Sequence, residues 1–307
     1  MISPTKDKQR LLVFIVAYNA ERTIEGVLRR IPHDLAEAYH VEILIIDDSS
    51  KDGTFERGHA LKQAEELPFT LHILYNPVNQ GYGGNQKIGY HFAIERGFDF
   101  VALVHGDGQY APECLPDLMA PLTEGAADAV FGSRMMTRGA ALRGGMPLYK
   151  FVGNKILSWL ENRMLRTDLT EFHSGYRVYS VAALRNIPFH LNSDVFHFDT
   201  EIIIQFVFAG LRIRELPIPT YYGDEICHVD GLKYAWDVVK AVLMSRAQEL
   251  NLLYDPKYDC RTTEIENAHY EIKRDYCSPH TETLARVGPG ARILDLGCAG
   301  GYMGVLL

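Results

Sequence analysis

Several features are scarce or missing in this sequence of 307 residues, and each absence removes a class of function. No apolar run approaches the roughly 20 residues that a membrane-spanning helix requires. The longest charge-free stretches lie near Leu11–Ala20 and Ile202–Leu211. The opening Met1-Ile-Ser-Pro-Thr-Lys-Asp-Lys lacks the apolar region of a secretory signal. The 5 cysteines include no C-x-x-C pair and are odd in number. That pattern argues against a disulfide framework or a zinc site and suits a reducing, cytoplasmic setting. Basic residues are the minority, 31 Lys and Arg against 39 Asp and Glu, so the electrostatic footprint of a nucleic-acid binder is missing. What remains is an ordinary globular composition, 47% hydrophobic and 23% charged. The length suits one large domain or two modest ones.

The first hundred residues alternate two patterns. Leu11–Ala17, Val41–Ile46, Phe69–Tyr75 and Phe100–Val104 are short, β-branched apolar runs of the kind found in strands buried on both faces. Between them, Ile24, Val27, Leu28 and Ile31 share one helical face, and Gln86–Arg96 reads as a second helix closed by Gly97. Strand–helix alternation predicts an α/β fold with a mostly parallel central sheet and helices on both faces. Ligands of such sheets bind at the carboxyl ends of the strands. Polar clusters sit at those ends: Tyr18-Asn19, Asp47-Asp48 and His105-Gly106-Asp107.

Further on, Met135–Lys150 is rich in glycine and carries Arg138, Arg143 and Lys150, a composition suited to a mobile loop that meets an anion. Phe198–Phe208 is apolar and helical in length, and Arg212–Pro219 resembles a short edge strand. Leu232–Tyr254 is an amphipathic helix bearing Trp236. It reads either as an interfacial membrane helix or as one packing on the main domain or a second subunit in a homodimer; packing is preferred. A polar linker to about residue 280 follows.

Each polar cluster has a bland reading and a sharper one. Asp47-Asp48 is a solvated turn, or a pair of acceptors for a nucleobase N–H or ribose hydroxyls. Asn79–Asn85, with Gly81, Gly83 and Gly84, is a turn, or a close approach for phosphate or sugar. His105-Gly106-Asp107-Gly108-Gln109 is a turn, or a divalent-cation site beside a diphosphate, where the imidazole favours Mn²⁺ over Mg²⁺. Asp199 and Glu201 cap a helix, or supply a general base.

In order, VAYN (16–19), IIDDSSKDGT (45–54), NQGYGGN (79–85), HGDGQYAPE (105–113), FGSR (131–134), TEFHSGYRVYS (170–180) and DTEIIIQFVFAGLRIRELPIPTYYG (199–223) resemble the GT-A-fold glycosyltransferases of family 2, in the dolichyl-phosphate-mannose-synthase-like branch. The resemblance covers about residues 10–235. It implies a nucleotide pocket lined by Ala17, Tyr18, Asn19 and Glu21, with Asp48 facing the base beside Asp47. Gly81, Asn85, Gly106 and Arg134 join that nucleotide-sugar set. Asp107 matches the last acid of the family's D-x-D metal motif, Gln109 a metal-assisting glutamine, and His105 stands where the first acid is usual. Arg138, Arg143 and Lys150 match the loop that closes over acceptor and phosphates, and Asp199 and Glu201 the acids before the apolar helix. The implied reaction is inverting transfer of a sugar from a nucleoside diphosphate sugar, with Mn²⁺ or Mg²⁺. The acceptor would be a polyprenyl phosphate or a glycan hydroxyl in envelope polysaccharide or glycolipid synthesis, at the inner membrane face. Three departures stand out: His105, the spacing Asn19-Ala20-Glu21, and Asp224–Lys233 where lipid-phosphate users carry an Arg and a G-x-S-K-like segment.

The terminal ILDLGCAGGYMG resembles motif I of class I S-adenosylmethionine-dependent methyltransferases through Asp295, Gly297 and Gly301, after an expected strand at Ala291–Leu296. The expected organisation is therefore a glycosyltransferase domain (1–230), a helix and linker (231–280) and the start of a methyltransferase-like domain (281–307). An alternative is an inactive nucleotide-sugar binding module attached to a methyltransferase, favoured by His105 in place of an acid.

Overall fold

The computed structural model describes residues 8–65, 67–222, 230–260, 277–288, 290–294 and 303. The chain divides into two compact units, one ending at Cys260 and one beginning at Arg261.

The first unit is built on a seven-stranded sheet. Its strands are β1 (Arg10–Ala17), β2 (His40–Asp47), β3 (Thr70–Tyr75), β4 (Phe100–His105), β5 (Ala129–Ser133), β6 (Arg177–Ser180) and β7 (Ile213–Pro217). Their order across the sheet is β3-β2-β1-β4-β6-β5-β7. The four expected strands pair in parallel, β5 pairs in parallel with β7, and β6 runs antiparallel between β4 and β5. β1 shows why these strands read as unbroken apolar runs. Leu11, Val13 and Ile15 enter one core with Ile24, Val27, Leu28, Leu118 and Met119. Leu12 and Phe14 enter the other, with Tyr90, Ile203 and Phe206. Side chains alternate across a strand, so a sheet covered on both faces needs apolar residues at every position.

Two strands and several helices, among them Thr54–Ala64, Leu115–Thr123 and Leu148–Leu165, escape the sequence patterns. β5 and β6 are short, and β6 carries Arg177 in its middle. The helix Leu148–Leu165 is hidden because its amphipathicity is inverted: Asn154, Ser158 and Glu161 are buried, whereas Val152, Ile156 and Trp159 are exposed. The segment expected to be a mobile glycine-rich loop thus contains a short helix, Ala140–Arg143, and the start of this longer one.

The helix expected at Gln86 begins instead at Gly81. The glycines are its first turn, and they permit close packing rather than a loop. A Cβ on Gly83 would lie 2.8 Å from Cβ of Phe198, and one on Gly89 would enter the ring of Phe14.

The helix Gly231–Glu249 packs on the Leu148–Leu165 and Phe198–Phe208 helices, burying Val238, Ala241, Val242 and Ser245. Tyr258 beyond it is buried too. This corrects the boundary expected at residue 230: residues 231–260 belong to the first unit rather than to a linker.

In the second unit the helix Pro279–Arg286 opens with a capping box between Ser278 and Thr281. Of the expected strand, Ala291–Leu294 are irregular, and its last two residues, with Asp295, Gly297 and Gly301, lie outside the described residues. Among the described residues, no helix is long and apolar enough to cross a membrane.

Because Gly89 has no room for a side chain, Gly89→Ala should lower stability by about 1–3 kcal/mol through overpacking against Phe14. The fall in urea midpoint measures it.

Candidate active site

Parallel register brings the polar clusters together. Ala17 of β1 lies opposite Asp47 of β2, and Val16 lies opposite His105 of β4, so three strands end along one edge. Gly106 permits the closest approach there: its N–H donates to the Val16 carbonyl at 2.9 Å, and a Cβ would press on Ala20.

The turns after β1 and β2 are laced into one wall. Asn19, at φ 52°, takes a hydrogen bond on Oδ1 from the Lys51 N–H at 2.9 Å and donates its own N–H to Ser50 Oγ at 2.8 Å. Glu21 Oε2 accepts from the Gly53 N–H at 3.1 Å. Asp47 Oδ1 accepts from the Ser50 N–H at 2.9 Å. Burial pushes the Asp47 carboxyl up, an effect that the Ser50 donors offset only in part. Asp48 Oδ1 accepts from the Gln80 N–H and from Asn76 Nδ2, each at 2.8 Å. Tyr18 is exposed at the mouth of this wall.

The glycine-rich segment is not a phosphate cradle. The N–H groups of Gly83 and Gly84 donate to the Asp194 carbonyl at 2.8 and 3.3 Å, so the free donors of this helix start are already taken. Gly81 also packs against Asp194. Asn85 is buried and donates to the Ile46 carbonyl at 3.1 Å. Gly81 and Asn85 thus join structural elements, the first to Asp194 and the second to β2.

The three expected metal ligands, His105, Asp107 and Gln109, lie at and just beyond the end of β4. Asp107 is exposed at the end of β4 and accepts from the Gln109 N–H at 2.9 Å. His105 turns inward instead. Its Nε2 lies 3.2 Å from the Tyr82 hydroxyl, and its ring packs edge-on against Tyr110 at 5.0 Å and beside Gly175. Burial pushes its pKa down, which keeps the imidazole neutral. Among the described residues, no three His, Cys, Asp or Glu side chains gather to hold a metal. An oxygen donor set of Asp107 and Gln109 suits a hard divalent cation that keeps several waters, whereas His105 does not fit as a ligand.

Behind this edge, Asp199 is buried in a network that sequence patterns missed. Its Oδ2 accepts from Tyr82 Oη at 3.0 Å and its Oδ1 from Gln86 Nε2 at 3.1 Å, with Arg177 at 3.6 Å. Glu201, 1% exposed, accepts from the Ser193 N–H at 2.6 Å and from Lys257 Nζ at 2.8 Å. Both its oxygens thus accept a hydrogen bond, one of them tying Glu201 to Lys257. The signals for Tyr82 and Arg177 were present in GYGGN and SGYR, but nothing in their spacing revealed that they would meet.

Arg134 is engaged within the protein. It is 6% exposed and holds Glu171 through its N–H at 2.7 Å and its Nε at 3.0 Å, with further bonds to Tyr222 Oη and the His173 carbonyl. Lys150 lies over the Tyr222 ring at 5.1 Å, while Arg138 and Arg143 remain exposed beside it in sequence.

Comparison with known proteins agrees with this geometry. Residues 12–187 match the family described as glycosyl transferase family 2. The chain belongs to that family. It is a glycosyltransferase, and its sheet and surrounding helices are those of the GT-A fold. It is 31% identical to the undecaprenyl-phosphate mannosyltransferase of Micrococcus luteus over 68% of this chain and 82% of that one. To the UDP-N-acetylglucosamine–dolichyl-phosphate N-acetylglucosaminyltransferase of Methanococcus voltae it is 28% identical, over 70% and 86%. Among solved structures, glucosyl-3-phosphoglycerate synthase from Mycobacterium tuberculosis, in complex with Mn²⁺, UDP and glucosyl-3-phosphoglycerate, superposes with a TM-score of 0.57 at 20% identity, covering 78% of this chain and 80% of that one. That likeness carries the fold.

The buried Arg134–Glu171 pair sets a stability prediction. Arg134→Ala should cost about 3–5 kcal/mol, since it strands a buried carboxylate. Burial alone would raise the Glu171 pKa, but Arg134 outweighs it and holds the carboxyl below the usual glutamate range. A depressed folded-state pKa means that this stabilisation is present above the ordinary glutamate range and is lost as pH falls through the folded value. Glu171→Gln should therefore flatten the acid limb of the stability–pH curve, read by denaturant unfolding at a series of pH values.

Proposed function

We propose that this glycosyltransferase moves a sugar from a nucleoside diphosphate sugar to a polyprenyl phosphate, inverting the anomeric centre in one displacement. The observation that carries this reading is the engagement of both candidate bases. A sugar hydroxyl must lose a proton as it attacks, so it needs a carboxylate within reach. Glu201 accepts one hydrogen bond on each oxygen and is 1% exposed, and buried Asp199 accepts from Tyr82 and Gln86 on its two oxygens. A phosphate monoester is already anionic and attacks without a base. The relatives from Micrococcus luteus and Methanococcus voltae, named for two different sugars, are both named for polyprenyl-phosphate substrates, which supports the acceptor class and leaves the sugar open.

In this reading Asp47 and Asp48, with Ala17, Tyr18, Asn19 and Glu21, take the nucleoside end of the donor. Asp107 and Gln109 would hold Mn²⁺ or Mg²⁺, which when bound neutralises charge on the departing diphosphate. Arg138 and Arg143 attract the acceptor phosphate. An acceptor phosphate oxygen forms the new bond to the anomeric carbon while the bond to the donor's β-phosphate breaks, and the nucleoside diphosphate leaves with that electron pair. Asp199 keeps Tyr82 and His105 in place beneath the donor. The inactive-module alternative is not favoured, because the relatives that this chain resembles are named as transferases.

Four outcomes test the reading. Asp107→Ala should lower transfer to a polyprenyl phosphate by about 10²–10³-fold, the scale seen when one stabiliser of developing charge is removed. EDTA should act similarly. Calorimetric titration with UDP, GDP, dTDP and CDP, with and without Mn²⁺, then identifies the donor; no metal-dependent binding of any of them would overturn the proposal. Glu201→Gln should lower thermal stability while leaving the turnover number at saturating substrate within a few-fold.

A further inference from the structure

The loop that carries Asp107 and Gln109 is gripped by the segment that follows β1. Thr23 Oγ1 donates to the Gly106 carbonyl at 2.6 Å. Arg30, which caps the helix Ile24–Arg29, donates through Nη1 to the Gly108 carbonyl at 3.3 Å. The same guanidinium meets Glu113 as a fork, Nε to Oε1 at 2.7 Å and Nη2 to Oε2 at 3.0 Å. Arg30 thus spans the loop, touching its turn at Gly108 and its far end at Glu113. Inside that span Asp107 Oδ1 accepts from the Gln109 N–H at 2.9 Å, and Gly108 sits at φ 76°. The two oxygen donors of the cation position therefore flank the residue that Arg30 holds. The buried end of the loop is pinned separately, by the Tyr110 hydroxyl accepting from the Gly175 N–H at 2.8 Å.

Exposure indicates what this clamp does. The side chains of Arg30 and Glu113 are 40% and 52% exposed, and an ion pair in such surroundings contributes little to folding stability. Desolvation would raise the Glu113 carboxyl, but the hydrogen bond from Arg30 outweighs it and holds the group below the usual glutamate range. Both partners are therefore charged at neutral pH. A guanidinium–carboxylate fork fixes orientation, which a single contact to an ammonium does not. A divalent cation held by few protein donors depends on where those donors stand. Outer groups that orient metal ligands are commonly worth about 10–100-fold in metal affinity.

We propose that Arg30, paired with Glu113, is a positioning residue for the divalent cation: by holding the Gly108 turn it fixes how Asp107 and Gln109 stand toward the ion. The inference rests on the cation reading of those two residues and adds what keeps them in place. A competing account treats Arg30 only as a nearby positive charge, and the two differ in sign. On charge alone, Arg30→Met tightens cation binding, and Glu113→Ala, which leaves the guanidinium unpaired, weakens it. As a clamp, both substitutions weaken binding. The double variant is then no weaker than Arg30→Met, because both changes break one shared contact. Arg30→Lys keeps the charge and loses the fork, so as a clamp it recovers only part of the affinity.

The test is titration of the full chain with Mn²⁺ in the presence of UDP, GDP, dTDP or CDP, read by loss of the free-ion electron paramagnetic resonance signal. Arg30→Met and Glu113→Ala are each expected to raise the Mn²⁺ dissociation constant by about tenfold, the lower end of the range for such outer groups. Their thermal midpoints should stay within about 4 °C of the wild type, the shift that a surface ion pair can supply in a domain of this size. Hydrogen exchange without metal reads the loop directly: amides of residues 106–109 should exchange faster in both variants, while those of β1 and β4 keep their protection. Tighter Mn²⁺ binding by Arg30→Met overturns the inference in favour of charge alone. A larger fall in midpoint in both variants overturns it in favour of a folding role. Wild-type Mn²⁺ binding that both variants retain overturns it alone, whatever the exchange shows, and the proposed function stands. If the wild type binds Mn²⁺ with none of the four diphosphates, the cation reading falls and this inference falls with it.

Discussion

Arg177 is a fully buried cation in the middle of the sheet, and much of the site follows from neutralising it. It sits on β6, opposite Leu103 on one side and Phe131 on the other, where the parallel half of the sheet meets the antiparallel insertion. An isolated guanidinium there would be prohibitively costly, so every donor needs an acceptor. The carbonyls of Phe172, Ser174 and Asp199 supply three at 2.7–2.9 Å, the Asp199 carboxylate lies 3.6 Å away, and the Phe131 ring lies under the guanidinium. Asp199 is therefore fixed by the sheet itself. Tyr82 and Gln86 bind to that fixed carboxylate, and His105 then meets Tyr82. One buried charge positions the floor of the cleft.

A second buried cation organises the acceptor side in the same way. Arg134, at the end of β5, is closed on Glu171, and Asn154 of the inverted helix completes that carboxylate's partners. This explains why the Leu148–Leu165 helix turns its polar side inward: the interior there already contains an ion pair that demands polar neighbours. The apolar side is left for whatever lies outside the protein. Site chemistry and surface character are thus two consequences of one buried polar seam.

The parallel half of the fold was legible because its strands are buried on both faces and read as solid apolar runs. The Asp47-Asp48 and Asp107 positions were legible too, since parallel register forces strand ends onto one edge. β5, β6 and the inverted helix were not, because a strand with a central arginine and a helix with outward tryptophans violate the patterns that burial normally writes. The internal partners of Arg134, His105, Glu201 and the glycine segment were not legible, for one shared reason. Residue type and spacing specify what a side chain could bind, whereas burial decides what it has already bound.

By itself, the sequence determined the family, the α/β class and the edge at which a nucleotide sugar can meet carboxylates, since those depend on local apolar periodicity and strand order. Only the tertiary structure decided which charges remain available to a ligand. Arg134, Glu201 and Asp199 are claimed by Glu171, Lys257 and Gln86, which lie 37, 56 and 113 residues away along the chain. Such desolvated pairs form only when distant segments pack, and no local pattern encodes them.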